Sequence, residues 1–235
     1  MTPENRQLFF DHAVKETPRE ACAVLVIFKG REILHICKNK SIFNDQFSID
    51  PKDYTEAALK GEVVGIIHSH VNISATPSEA DRVSCEASGV EWHICSVPTA
   101  KWFSFTPSGF KAPLIGRTWA HGVLDCYSYV QDYYREKLGI TLMDFDREFE
   151  WWDKGGELYC DANWTMAGFK KVMPEELRVH DALIFQIRAK VPNHAGIYEG
   201  NDIFSHHLTR RLSSRDVYAG YYRKHTVKVL RYVGI

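Results

Sequence analysis

The stretch Gly65-Ile66-Ile67-His68-Ser69-His70-Val71-Asn72-Ile73-Ser74-Ala75-Thr76-Pro77-Ser78-Glu79-Ala80-Asp81 governs how the first half of the chain is read. The apolar residues Val63, Val64, Ile66 and Ile67 lead into it and predict a buried strand. At a strand's end, residues i and i+2 point the same way, so His68 and His70 can converge on one ion. Pro77-Ser78 reads as a helix start, which places Asp81 in the first helical turn. Two imidazoles and one carboxylate are a ligand set for zinc that leaves a fourth position open. The plainer reading is that Ser78-Glu79-Ala80-Asp81 is a capping box and the histidines are ordinary loop residues.

Working outward, residues 4–16 predict a helix with Leu8, Phe9, Ala13 and Val14 roughly on one face. Residues 21–28 read as a strand, 29–32 as a turn, and 33–37 as a returning strand. A short helix fits Asp53 to Leu59, stopped by Gly61. After the helix at 78–88, short strands fit 91–97 and 101–106. Residues 1–110 thus make one α/β or α+β domain. The segment 106–118 holds two prolines and two glycines and is the linker candidate.

His-x-His-x7-Ser-x2-Asp resembles the JAMM (MPN-plus) metalloprotease family, in which a distant upstream Glu precedes His-Ser-His, Ser and Asp. The resemblance implies a JAMM/cytidine-deaminase-like α/β/α domain with His68, His70 and Asp81 binding Zn2+. It implies Ser78 as an oxyanion contact. Glu20-Ala21-Cys22-Ala23-Val24-Leu25 matches the setting of the family's glutamate, so Glu20 is the implied general base. Val71 and Ala23 depart from the family, which often has Pro and Gly there.

The second half opens on Gly122-Val123-Leu124-Asp125-Cys126-Tyr127-Ser128. Cys126 begins a predicted helix, Asp125 to Leu138, stopped by Gly139. Amides and the helix dipole there favour a thiolate. A cysteine nucleophile also needs a histidine and a third polar group to orient it. His194 starts a predicted strand at 194–199, and His206 ends another at 202–206. A hairpin between them brings the two histidines together. Strands also fit 181–187 and 226–233, whereas residues 141–156 give no clear pattern.

Asp125-Cys126, His180-Asp181-Ala182-Leu183-Ile184-Phe185 and His194-Ala195-Gly196-Ile197-Tyr198 resemble the NlpC/P60 cysteine peptidases. These are papain-like enzymes that cut peptidoglycan stem peptides. The resemblance implies a helix followed by an antiparallel sheet over residues 111–235. It implies Cys126 as nucleophile, His194 as base and His206 as third member, with spacing favouring His206 over His207. Many members carry a tyrosine upstream of the cysteine, and Pro113 to Trp119 contain none.

The chain has 235 residues and a net charge of -1, which gives no case for bulk attraction to nucleic acid. No apolar run approaches the ~20 residues of a membrane helix. The polar N-terminus lacks a signal-peptide core, which predicts synthesis in a cytoplasm. The six cysteines form no Cys-x-x-Cys pair, which argues against a structural zinc ribbon. The succession of a JAMM half and an NlpC/P60 half resembles a family of tail-assembly proteins of lambda-like tailed phages. That resemblance implies partners among other tail-tip proteins, a peptidoglycan peptide as substrate, and a location at the phage tail tip. The alternative is a tail-tip structural adaptor that is catalytically silent.

Overall fold

The computed structural model describes residues 1–234, which fall into two compact units, Met1–Lys111 and the chain from Ala112 onward. The first unit runs α1 (Pro3–Glu16), β1 (Cys22–Phe28), β2 (Arg31–Cys37), α2 (Pro51–Lys60), β3 (Glu62–His70), α3 (Glu79–Ser88), β4 (Glu91–Ser96) and β5 (Lys101–Phe105). Its five-stranded sheet has the order β2-β1-β3-β4-β5. Only β3 and β4 are parallel, joined through α3. The sheet is therefore mixed.

Strand alternation sorts the core into two layers. Ala23, Leu25 and Ile67 pack under α1 through Phe9 and Ala13. Cys22, Val24 and Val26 face Ala57 of α2, and Ile66 faces Cys85 of α3. The sheet is thus sandwiched between helices. The α1 face is narrower than its sequence suggests: Phe9 and Ala13 are buried, but Leu8 and Val14 are exposed. Positions 8 and 14 fall to either side of the stripe that 9 and 13 share, and neither reaches the sheet.

The second unit runs α4 (Cys126–Leu138), α5 (Asp161–Met166), β6 (Phe169–Val172), β7 (Ala182–Phe185), β8 (His194–Gly200), β9 (Ile203–His206), β10 (Ser214–Val217), α6 (Gly220–His225) and β11 (Thr226–Tyr232). The six strands form an antiparallel sheet in the order β10-β9-β8-β7-β11-β6. Both units are α+β. The helices α5 and α6 and the strands β6 and β10 are too short to show a period in sequence.

Tyr127, Val130, Tyr133 and Tyr134 of α4 lie against Ile184, Ala195, Ile197 and Leu230 on one sheet face. Phe185, Phe204, Tyr218 and Val229 build the other face. A Cβ on Gly196 would stand 2.9 Å from the Ser205 carbonyl oxygen and 3.0 Å from the His206 Cβ. The close β8–β9 approach that carries His206 therefore needs glycine there. Asp181 is buried and takes two 2.8 Å hydrogen bonds from Arg231, so it ties β7 to β11.

The linker candidate is only partly a linker. Arg117 is fully buried and forms an ion pair with Asp132. Its backbone N–H donates to the Ser213 hydroxyl, and its carbonyl accepts from the Ser213 N–H. Residues 112–118 are thereby sewn into the second unit, because a buried guanidinium has to be paired. Among the described residues, no helix is long and apolar enough to cross a membrane.

Candidate functional sites

In the first unit β3 runs to its last residue before the chain turns, so both histidines are still on the strand and on one face. The helix α3 then starts at Ser78, its N-cap. The Ser78 hydroxyl accepts from the Asp81 N–H at 3.1 Å and donates to Asp81 Oδ2 at 2.7 Å. The Ser78 N–H also donates to that oxygen, at 2.7 Å. The capping box is real, and it is what aims Asp81 at the histidines.

His68 Nε2 lies 3.2 Å from His70 Nε2 and 3.2 Å from Asp81 Oδ1, while His70 Nε2 lies 3.5 Å from Asp81 Oδ2. A tetrahedral zinc with bonds of about 2.05 Å has ligand–ligand edges of about 3.3 Å. The His68–His70 and His68–Asp81 Oδ1 spacings fit that geometry, while His70 lies near the other carboxylate oxygen. All three residues are buried and form a cluster able to hold a metal ion. His70 Nδ1 lies 2.7 Å from the Ser74 carbonyl oxygen, which fixes the tautomer that leaves Nε2 free for a ligand.

Burial raises the Asp81 pKa, but His68, His70 and Ser78 outweigh it and hold the carboxyl well below the usual range. Burial pulls His70 down, while the Asp81 contact and the Ser74 carbonyl lift it to a net rise. Glu20 is buried just before β1, where Cys22 pairs in register with His68. Burial first, and then the Asp81 and Asp45 carboxylates, push its pKa up to about 9. The neighbouring peptide is pinned by Ala21 N–H donating to the Ser69 hydroxyl at 2.8 Å.

The second site starts at Asp125, the N-cap of α4, whose Oδ1 accepts from the Tyr127 and Ser128 N–H groups. Arg147, from the stretch that gave no pattern in sequence, donates Nε to Asp125 Oδ2 at 2.7 Å. Burial raises Asp125, but Arg147 prevails and its pKa sits at about 2. Cys126 follows. Burial, then Asp125, push the thiol up to about 11, against hydrogen bonds from Tyr159 and the Ala195 backbone N–H.

His194 Nε2 is 2.8 Å from His206 Nδ1, and His206 Nε2 is 2.9 Å from Asp216 Oδ2. Burial, then His206 and His207, hold His194 well below its ordinary pKa. His207 points elsewhere: its Nε2 lies 3.0 Å from the Arg211 carbonyl oxygen. Burial, then Arg117, lower it to about 4. The structure therefore brings His206, not His207, to His194.

Two groups escaped the sequence. Asp216 sits on β10, two residues past the Ser214 that pairs with His206, so it is a diagonal neighbour on the same face. Tyr159 comes from the loop before α5, and its hydroxyl lies 3.1 Å from the Cys126 sulfur. Neither residue falls in a motif; only the strand register and the loop path reveal them.

A strand-end and helix-cap cluster in one unit, with a helix-start cysteine and a histidine hairpin in the other, fits a two-domain chain of peptidase families. Residues 3–108 match the prokaryotic homologs of the JAB domain, and residues 115–231 match the NlpC/P60 family. The chain is 36% identical over 226 residues to the tail tip assembly protein K of Escherichia phage N15, covering 94% of this chain and 91% of that protein. It is 34% identical over 184 residues to the protein of the same name from Escherichia phage lambda, covering 78% and 89% respectively. The chain belongs to the tail tip assembly protein K family. Among solved structures, an NlpC/P60 family protein from Bacillus cereus aligns with a TM-score of 0.35 at 13% identity, over 95% of this chain and 66% of that one.

Proposed function

We propose that this protein acts at a phage tail tip, among other tail proteins, and carries two peptidase sites. Residues 111–235 would hydrolyse amide bonds of peptidoglycan stem peptides, and residues 1–110 would be a zinc-dependent peptidase that trims a tail protein. The observation that carries the first activity is the chain of contacts His194–His206–Asp216 beside Cys126.

That chain orients the proton. His206 Nε2–H donates to Asp216, so His206 Nδ1 is left to accept from His194 Nε2–H. His194 Nδ1 then carries the lone pair that receives the Cys126 proton. With the thiol pushed up to about 11 and His194 pushed down, the pair rests as thiol and neutral imidazole. Proton transfer therefore accompanies the attack. The sulfur bonds to the carbonyl carbon as its proton moves to His194. The C–N bond then breaks, and the amine leaves with that proton. Water, deprotonated by His194, next splits the thioester and restores the thiol.

In the first unit His68, His70 and Asp81 would hold zinc, which supplies a Lewis acid and acidifies a water molecule. Glu20 would take that water's proton and pass it to the leaving amine. A dication held by His68, His70 and Asp81 would oppose the upward shift that burial and Asp81 impose on Glu20. The Ser78 hydroxyl already donates to Asp81 Oδ2, so Ser78 would contact an oxyanion only by giving up that donation.

Purified protein incubated with peptidoglycan tests the cysteine assignment. Stem-peptide fragments are expected from the wild type and absent with Cys126→Ala. Release that persists in the variant overturns the assignment. An inert wild type favours the silent adaptor.

A further inference from the structure

Tyr159 is buried in an aromatic box, its ring stacked on Trp164 at 5.5 Å and meeting Trp151 edge-on at 5.6 Å. The backbone is held too: the Tyr159 carbonyl accepts from Lys228 Nζ at 3.2 Å. The phenol is therefore fixed in place, and its oxygen lies 3.1 Å from the Cys126 sulfur. With a neutral thiol, either group can donate across that contact. Once the sulfur has lost its proton, only the phenol can.

We propose that Tyr159 is a catalytic residue of the cysteine site, its O–H donating to the Cys126 sulfur as the thiol gives up its proton. The proposal rests on the nucleophilic role argued above for Cys126. Burial keeps the phenol itself well above its ordinary pKa, so the donor is protonated across the working range. The Tyr159 hydroxyl is the sulfur's side-chain hydrogen-bond partner, and the Ala195 backbone N–H also lowers the thiol's pKa. The Asp125 carboxylate opposes the thiolate. A charge-assisted hydrogen bond is the kind of contact that offsets such opposition. After the sulfur bonds to carbon it becomes a weak acceptor, and the strongest acceptor beside it is the carbonyl oxygen that has taken the charge. The same O–H is then available to that oxygen without rearrangement of the aromatic box.

The alternative is that Tyr159 only fills space. Tyr159→Phe separates the two, since it keeps the ring and removes the donor. The measurement is the pH dependence of Cys126 alkylation by iodoacetamide, followed by mass spectrometry of the peptide that carries Cys126. The full-length protein is used, with Cys126→Ala as the blank. The measurement does not depend on turnover, so failure of the peptidase assignment and failure of the Tyr159 contact are read separately. The alkylation midpoint is expected to move up by about one to two pH units, the roughly 10- to 100-fold loss of thiolate that one charged hydrogen bond represents. With peptide substrate, kcat is expected to fall with KM little changed. An unshifted alkylation midpoint in a Tyr159→Phe protein whose melting temperature matches the wild type overturns the proposal. If that protein melts lower, Trp164→Phe serves as a packing control that keeps the phenol. An equal shift in that control also overturns the proposal, and an unshifted midpoint there supports it.

Discussion

In the N-terminal unit the clustered side chains come from one strand end and the helix start that follows it, His68 to Asp81. In the C-terminal unit Cys126, Tyr159, His194, His206 and Asp216 come from a helix, a loop and three strands. The two designs differ in what holds them. The first is set by rules that act over a few residues, strand alternation and a helix cap. The second exists only when β8, β9 and β10 pair in one register, because a slip by one residue sends His194 or His206 to the opposite face. A local site survives modest damage to its domain, whereas a site gathered from distant elements shares the fate of its sheet.

The largest expected effect breaks the pair apart. Cys126→Ala should reduce peptidoglycan cleavage to background while leaving metal content unchanged. His68→Ala should remove about one zinc per chain and leave cleavage unchanged. Atomic absorption and fragment release on the two variants check both halves. A crossed result, in which the metal variant also loses cleavage, would show that the two sites are not independent.

The difference in range explains what could be read without a structure. The N-terminal constellation was legible because its spacing is its geometry. Cys126 was legible through Asp125 and the helix that follows. His206 could be favoured over His207 by spacing, and Gly196 shows why the hairpin must close where it does. Asp216 and Tyr159 left no mark, since neither a diagonal strand neighbour nor a loop excursion has a period. Arg147 was hidden for the same reason: it acts on Asp125 from the stretch between α4 and α5. The exposure of Leu8 and Val14 shows the converse error, in which a helix periodicity is credited with more buried face than its sheet covers.

The next effect sharpens the claim that the cysteine site depends on distant supports. Asp125→Asn keeps the cap of α4 but removes the buried carboxylate paired with Arg147 and leaves that guanidinium to the exposed Asp144. Loss of about 3 kcal/mol at pH 7 is expected, the lower end for a broken buried pair. Its sign with pH follows from the folded pKa of about 2, below the ordinary value. The wild-type contribution is complete above about pH 4 and is lost as pH falls towards 2. Urea unfolding at pH 7 and pH 3 should therefore show the gap between wild type and variant narrowing in acid. A gap that stays constant would mean that Arg147 does not set this carboxylate.

A smaller effect concerns the far end of the histidine chain. Asp216→Asn should lower kcat/KM by about 10²-fold, the low end of what general acid–base contributions are worth, because it acts through His206. The amide can still accept from His206 Nε2–H, but it no longer stabilises a charged ring. Tyr222 also donates to Asp216 Oδ2, at 3.1 Å, so Tyr222→Phe should give a smaller loss in the same direction. Equal rates in wild type and Asp216→Asn would shorten the working chain to His194 and His206.

The smallest expected effect returns to the local site and tests whether its cap and its ligand geometry are one device. Ser78→Ala removes the hydroxyl that both accepts from the Asp81 N–H and donates to Asp81 Oδ2. As a cap alone it should cost about 1 kcal/mol in unfolding free energy. If the same hydroxyl also orients the carboxylate towards His68 and His70, zinc affinity should fall by about 10- to 100-fold, as for other groups that hold a ligand in place. Chelator competition measures the second quantity independently of the first. A variant that loses the 1 kcal/mol and keeps its affinity would show that the Ser78 N–H, which also donates to Asp81 Oδ2, suffices to aim the carboxylate. A drop in both would tie the capping box to the metal geometry, and the plain reading of Ser78-Glu79-Ala80-Asp81 and the chemical one would become the same statement.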